Sequence, residues 1–227
     1  MPAVQVILCC VLGYLLGNFS PAFLIGKRRG YDVRQDGSGN VGASNAFILA
    51  GKNAFFVTAI MDILKAFAAW RLCALFFPSL RAAGPIGGVF CIVGHIFPVF
   101  LGFHGGKGLA CLGGVILAWS WKWFLILLAA AVVIGFASQY VCFVAPTISV
   151  VFPACYYWRT GHLAGALILL AAAPLIFYKH RENLRRIREG TELRLRFMWD
   201  KESELRRIGR WDETAREGLE RRGRGPD

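Results

Sequence analysis

The sequence predicts an all-α integral membrane protein of about seven transmembrane helices, with its N-terminus outside and its C-terminus in the cytoplasm. Three observations carry that expectation. The chain has 227 residues and is 56% hydrophobic, with a mean hydropathy of +0.50, where soluble domains run at roughly 45–50% apolar. Between residues 53 and 178 the only formal charges are Asp62, Lys65, Arg71, Arg81, Lys107, Lys122 and Arg159, so the stretches between them can lie in hydrocarbon. The other basic residues flank these stretches or follow the last one, which is the positive-inside distribution. That distribution accounts for the net charge of +12, and no nucleic-acid partner is expected.

The first apolar run covers residues 4–25. No Lys or Arg precedes it, and Lys27, Arg28 and Arg29 follow it, so it reads as a retained helix rather than a cleaved signal peptide. Ser20 and Pro21 mark a kink or local irregularity within it. A polar, glycine-rich loop over residues 27–52 then falls on the cytoplasmic side. The second run, 53–77, carries Asp62 and Lys65 three apart and therefore on one helical face. They read either as a pair turned to the bundle interior or as support for a site.

Further runs cover 85–103, 109–121, 123–138, 140–158 and 163–178. Several are shorter than the ~20 residues of a full crossing, so broken or tilted helices are expected. Trp119, Trp121, Trp123 and Trp158 fall at run ends, where interfacial aromatics gather. The boundary within residues 124–146 is the least marked. From Lys179 onward Arg and Glu interleave, which reads as an exposed, partly helical cytoplasmic extension with Phe197, Met198 and Trp199 on the lipid surface. Residues 221–227 read as disordered. The chain thus divides into a membrane domain, 1–192, and a charged tail, 193–227. All seven cysteines lie in or beside apolar runs without a CxxC spacing, as small buried hydrophobes do. No disulfide, metal or cofactor is expected.

Three polar clusters interrupt this scaffold. GSGNVGASN, residues 37–45, contains a GxGxxG spacing but has no strand before it, so it is not a dinucleotide fingerprint. Its glycines allow successive backbone N–H groups to converge on an anion, with Arg34, Ser38, Asn40 and Asn45 as further donors. HGGKG, residues 104–108, fails as a Walker loop because Leu101 stands where the first glycine belongs and Gly108 follows Lys107. KHREN, residues 179–183, places His180 and Asn183 just past the last run. No His stands at an HxxxxD spacing and no GxSxG elbow occurs, so a covalent acyl-serine route has no support.

GSGNVGASN, GHIFPVFLGFHGGKG and HRENLRRIREGTE together resemble, in order and spacing, the three signature regions of the bacterial acyl-phosphate:glycerol-3-phosphate acyltransferase family, over residues 4–192. The resemblance implies a seven-helix enzyme of the bacterial inner membrane with a cytoplasmic site. It implies transfer of a fatty acyl group from acyl phosphate to the 1-hydroxyl of sn-glycerol 3-phosphate, giving lysophosphatidic acid and phosphate, with membrane lipid as the surrounding partner. Where the family reads Arg-Tyr-Val-Ser-x-x-Ser, this chain has Gln139, Tyr140, Val141, Cys142, Phe143, Val144 and Ala145.

Acyl phosphate is already activated, so the protein's task is positioning and charge stabilisation. Lys107 and Arg34 are expected to take phosphate charge. Ser38, Asn40, Asn45 and the amides of Gly37, Gly39, Gly105 and Gly106 are expected as donors. His180 and Asn183 would orient the acceptor or relay its proton, and His95 would support the carbonyl region or the loop. Two other classes fit the sequence less well: a transporter of phosphorylated small molecules, and a non-catalytic scaffold whose basic tail binds anionic lipid.

Overall fold

The computed structural model describes residues 2–209. Among these residues every regular element is a helix: α1 Pro2–Asn18, α2 Pro21–Arg28, α3 Ala43–Ala50, α4 Lys52–Phe76, α5 Ala83–Ile96, α6 Leu109–Trp119, α7 Trp121–Ser138, α8 Val144–Thr160, α9 Leu163–Leu170, α10 Ala172–Arg188 and α11 Lys201–Arg207. Five segments of the described residues are long and apolar enough to cross a membrane: Pro2–Arg28, Ala83–Leu101, Trp121–Ser138, Val141–Thr160 and Leu163–Arg188. The other two expected spans correspond to α4 and α6. α4 has the length but carries buried Asp62 and Lys65; α6 has 11 residues, or about 17 Å at 1.5 Å per residue. Outward faces are apolar, as at Val4 and Val133, which are 59% and 66% exposed, the pattern of a protein solvated by lipid.

The expected irregularity at Ser20 and Pro21 is a full break between α1 and α2. Ser20 Oγ accepts the Phe23 N–H at 3.3 Å, and Pro21 starts the new helix. That diverts the donor that would have served the Phe19 carbonyl, and Lys65 Nζ takes its place at 2.6 Å. The carbonyl freed at the break is thereby satisfied. α1 lies against α5 through small residues: a side chain at Gly13 would strike the Gly87 backbone, and one at Gly94 the Tyr14 backbone. Such backbone proximity is how helices associate in lipid. The main core is built where α4, α5, α6, α8, α9 and α10 meet, around Ile92, Ile96, Val115, Phe152 and Ile176.

Two expectations are corrected. Residues 43–50, read as loop, form α3, a two-turn helix bounded by Gly42 and Gly51. The helix that ends the last apolar run continues past residue 178 to Arg188, so His180 and Asn183 share one helical face. Phe197 does not lie on a lipid surface: it is buried edge-on against Phe47, ring centroids 5.4 Å apart, with Leu205 beside them. An aromatic side chain with an apolar pocket in reach gains more there than in a polar interface. Trp199 is exposed, and stacks on Phe136. Residues 221–227 lie outside the described residues.

The helix ends sort into two groups. At one end Arg81 Nη2 donates to the Thr160 carbonyl at 2.8 Å, and Trp123 contacts both Trp119 and Trp158. At the other end Arg29 reaches the Ala50 carbonyl, and the three glycine, lysine and histidine clusters of the sequence collect there.

Candidate active site

The first glycine-rich loop is fixed by a buried amide. Asn45, fully buried in α3, accepts the Ser38 N–H on Oδ1 at 2.8 Å. Its Nδ2 donates to the carbonyls of Val33 and Asp36, both at 3.0 Å. Asn45 therefore holds the loop from inside, and its hydrogen-bonding groups face the loop rather than a ligand. Gly37 and Gly39 have φ of +66° and +69°, the left-handed region where a side chain is strained. Ser38 and Gly39 are exposed and Asn40 partly so. Arg34 forms a two-pronged pair with Asp32, with contacts of 2.7–3.1 Å, which holds the Asp32 carboxyl below its usual range. Its Nη1 also approaches the Leu101 carbonyl at 3.5 Å, joining the first loop to the second.

The second loop rests on the end of α5. Gly106 N–H donates to the His95 carbonyl at 3.0 Å. A side chain on Gly105 would strike the His95 and Ile96 carbonyls, and one on Gly106 the His95 ring and the Val41 carbonyl. Only glycine permits this approach, and it brings the first loop, the second loop and α5 into contact. The Gly106 amide is engaged by protein. The expected role of the Gly-Gly pair as a cradle is thus first a packing requirement.

His95 is buried under this turn. Lys65 Nζ lies 3.0 Å from its Nδ1 and 2.7 Å from Asp62 Oδ1, so the Asp62–Lys65 pair is both an interior ion pair and the support beneath a site histidine. Asp62, His95 and Cys111 present donor atoms within 4.8 Å of one another. The Lys65 ammonium already supplies the positive charge such a cluster attracts, and the donor set does not call for a metal.

Lys107 leaves the second loop toward α10. Its Nζ donates to Asn183 Oδ1 at 2.5 Å. Asn183 Nδ2 donates in turn to Glu192 Oε1 at 2.5 Å, and Arg186 Nε to Glu192 Oε2 at 2.7 Å. Burial lowers the Lys107 pKa to about 8, and the Arg186 guanidinium adds to that effect. One turn before Asn183, His180 Nδ1 lies 2.7 Å from the Ile176 carbonyl. A carbonyl only accepts, so the proton sits on Nδ1 and the neutral ring keeps its lone pair on Nε2.

The structure thus brings Lys107, Asn183, His180 and His95 together at one end of the bundle, with the first glycine loop against the second. His104 is exposed and turned back to the Gly102 carbonyl. His162 lies at the opposite end beside Tyr156. Two members of the site are not evident from sequence: Glu192 and Arg186, hidden among alternating Arg and Glu. Cys142, in the short turn between α7 and α8, is buried.

The family model described as "Glycerol-3-phosphate acyltransferase" matches residues 7–190. A protein of that name from Lactiplantibacillus plantarum is 33% identical over 199 residues, covering 85% of this chain and 93% of its own. One from Brucella canis is 36% identical over 186 residues, covering 82% and 90%. Among solved structures, the crystal structure of PlsY (YgiH), an integral membrane glycerol 3-phosphate acyltransferase, is similar in its glycerol 3-phosphate form, with a TM-score of 0.76 and 30% identity over 85% of this chain and 96% of that one. Its lysophosphatidic acid form gives a TM-score of 0.73 at 30% identity, over 83% and 94%.

Proposed function

The chain belongs to the glycerol-3-phosphate acyltransferase family, and from that premise we propose how its own residues carry out the transfer, with acyl phosphate as the donor. The protein is a multi-pass membrane acyltransferase that acts on glycerol 3-phosphate. In this reading the chemistry sits in residues 1–192, on the cytoplasmic face of the bacterial inner membrane, with the N-terminus outside and seven crossings. The basic residues that end α2 and fill α10 support that orientation.

The observation that carries the reading is the meeting of Lys107, Asn183 and His180 beside two glycine loops. Lys107 takes the phosphate charge of the acceptor, held in place by Asn183. Arg34, Ser38, Asn40 and the Gly37 and Gly39 region receive the donor phosphate. The 1-hydroxyl oxygen attacks the acyl carbonyl carbon, forming the ester C–O bond, and the bond from that carbon to the phosphate oxygen breaks. His180 Nε2 receives the hydroxyl proton and passes it to the departing phosphate, so the ring ends neutral. A phosphate oxygen of the acceptor can take the same proton directly. His95 holds the second loop at its correct height. Both substrates carry phosphate and one carries an acyl chain, which suits charged loops at the end of a lipid-exposed bundle.

The donor is tested by offering palmitoyl phosphate and palmitoyl-CoA to the purified protein with glycerol 3-phosphate and identifying products by mass spectrometry. The expected result is 1-palmitoylglycerol 3-phosphate from palmitoyl phosphate alone. Product from the CoA ester with none from acyl phosphate contradicts the donor assignment.

A further inference from the structure

The family match ends at residue 190, yet residues 193–209 are folded against the same end of the bundle. Leu195 N–H donates to the Gln139 carbonyl at 2.7 Å, at the turn between α7 and α8. Phe197 and Leu205 bury themselves on Phe47 of α3, the helix whose Asn45 holds the first glycine loop. Glu204 is 2% exposed. Its carboxylate receives the Arg194 N–H at 3.2 Å and the Arg207 guanidinium at 2.9–3.1 Å. That pairing aims Arg207 at the preceding turn, where Nη1 donates to the Gly190 carbonyl at 2.7 Å and Nη2 to the Glu192 carbonyl at 2.6 Å. This turn is the one that sets the Glu192 carboxylate on Asn183 and Arg186.

We propose that residues 193–209 form a strap that sets affinity for the phosphate-bearing acceptor, with Arg207 as its positioning residue: by gripping the Gly190 and Glu192 carbonyls it holds Glu192 against Asn183, and through Asn183 it places Lys107. The strap touches both halves of the site, α3 on one side and the 190–192 turn on the other. The Arg207 donors are spent on protein oxygens. A guanidinium with two carbonyl acceptors and a carboxylate behind it is a fixed fork, so it transmits position rather than charge. The proposal rests on the assignment of Lys107 to the acceptor phosphate.

The test uses the full chain and compares Arg207→Ala, Arg207→Lys and Phe197→Ala with wild type, each checked for unchanged helical circular dichroism and elution in detergent. For Arg207→Ala the expected result is a rise of roughly tenfold in KM for glycerol 3-phosphate, the scale of one lost charge-assisted hydrogen bond, with kcat within about twofold. Arg207→Lys recovers part of the loss, because an ammonium reaches one of the two carbonyls. Phe197→Ala, which frees the strap from α3, raises KM in the same direction. Titration calorimetry with glycerol 3-phosphate reads the same difference as Kd without turnover. A wild type that binds but forms no lysophosphatidic acid sinks the transfer reading alone. Folded Arg207→Ala and Phe197→Ala proteins with wild-type KM and Kd, or a fall in kcat with KM unchanged, overturn the strap.

Discussion

Lys107 and Asn183 are 76 residues apart in sequence, and the lysine ammonium donates to the Asn183 amide oxygen. The contact ties the second glycine loop to α10, and Glu192 holds the far side of the same amide. Asn183 thus fixes a half-buried cation without neutralising it, because its own charge is zero. A cation kept in this way has its charge available to an incoming phosphate.

The pH profile follows from that burial. Lys107 titrates at about 8, and its cation is the form present below that value. A phosphate monoester takes its second negative charge near pH 6. The kcat/KM for glycerol 3-phosphate is therefore expected to rise through about pH 6 and to fall above about pH 8, reporting free enzyme and free substrate. Once the phosphate is bound it favours the cation, so the alkaline limb of kcat lies at higher pH. A flat kcat/KM from pH 7 to 10 contradicts the role of Lys107.

Asn45 is expected to matter as structure. Asn45→Ala removes one acceptor and two donors from a fully buried position, at a cost of about 2–3 kcal/mol. Thermal unfolding in detergent should shift down, and KM for the acyl phosphate should rise as the loop loosens. Full stability in Asn45→Ala means that the loop is held by something else.

The buried pair beneath His95 gives a sharper stability test. Lys65→Met leaves Asp62 with only the more distant His95 Nδ1, at 3.5 Å, and the Phe19 carbonyl without its donor, an expected loss of about 3–5 kcal/mol. Asp62→Asn added to Lys65→Met should recover a good part of the melting temperature. Equal stability of the single and double variants contradicts a coupled pair.

His162 sits at the opposite end, beside Tyr156. His162→Ala is expected to leave turnover within about twofold, as substitutions outside a site or core do. A large loss in a folded protein contradicts the placement of the site at the Lys107 end.

Much of this architecture is legible in the sequence, for identifiable reasons. Within a nearly uncharged chain, glycines beside Lys107 and the cluster at His180 stand out as local anomalies, and the break at Ser20 is written in a cap followed by proline. α3 is not legible: eight residues between Gly42 and Gly51 are too few for helical periodicity to declare itself. Glu192 and Arg186 are hidden for a different reason. In a stretch of alternating Arg and Glu, any one carboxylate looks like a solvated surface charge, and only the fold shows which one reaches Asn183. The same holds for Glu204 and Phe197, whose burial depends on α3.

The account turns on Lys107, and inorganic phosphate release tests it most directly. Purified wild-type and Lys107→Ala proteins are given palmitoyl phosphate with and without glycerol 3-phosphate. Wild type is expected to release phosphate only with the acceptor present, forming lysophosphatidic acid in equal amount. Lys107→Ala is expected to lose about 10–100-fold, the worth of a charge-assisted phosphate contact. Near-normal release by a folded, membrane-inserted Lys107→Ala protein contradicts the account.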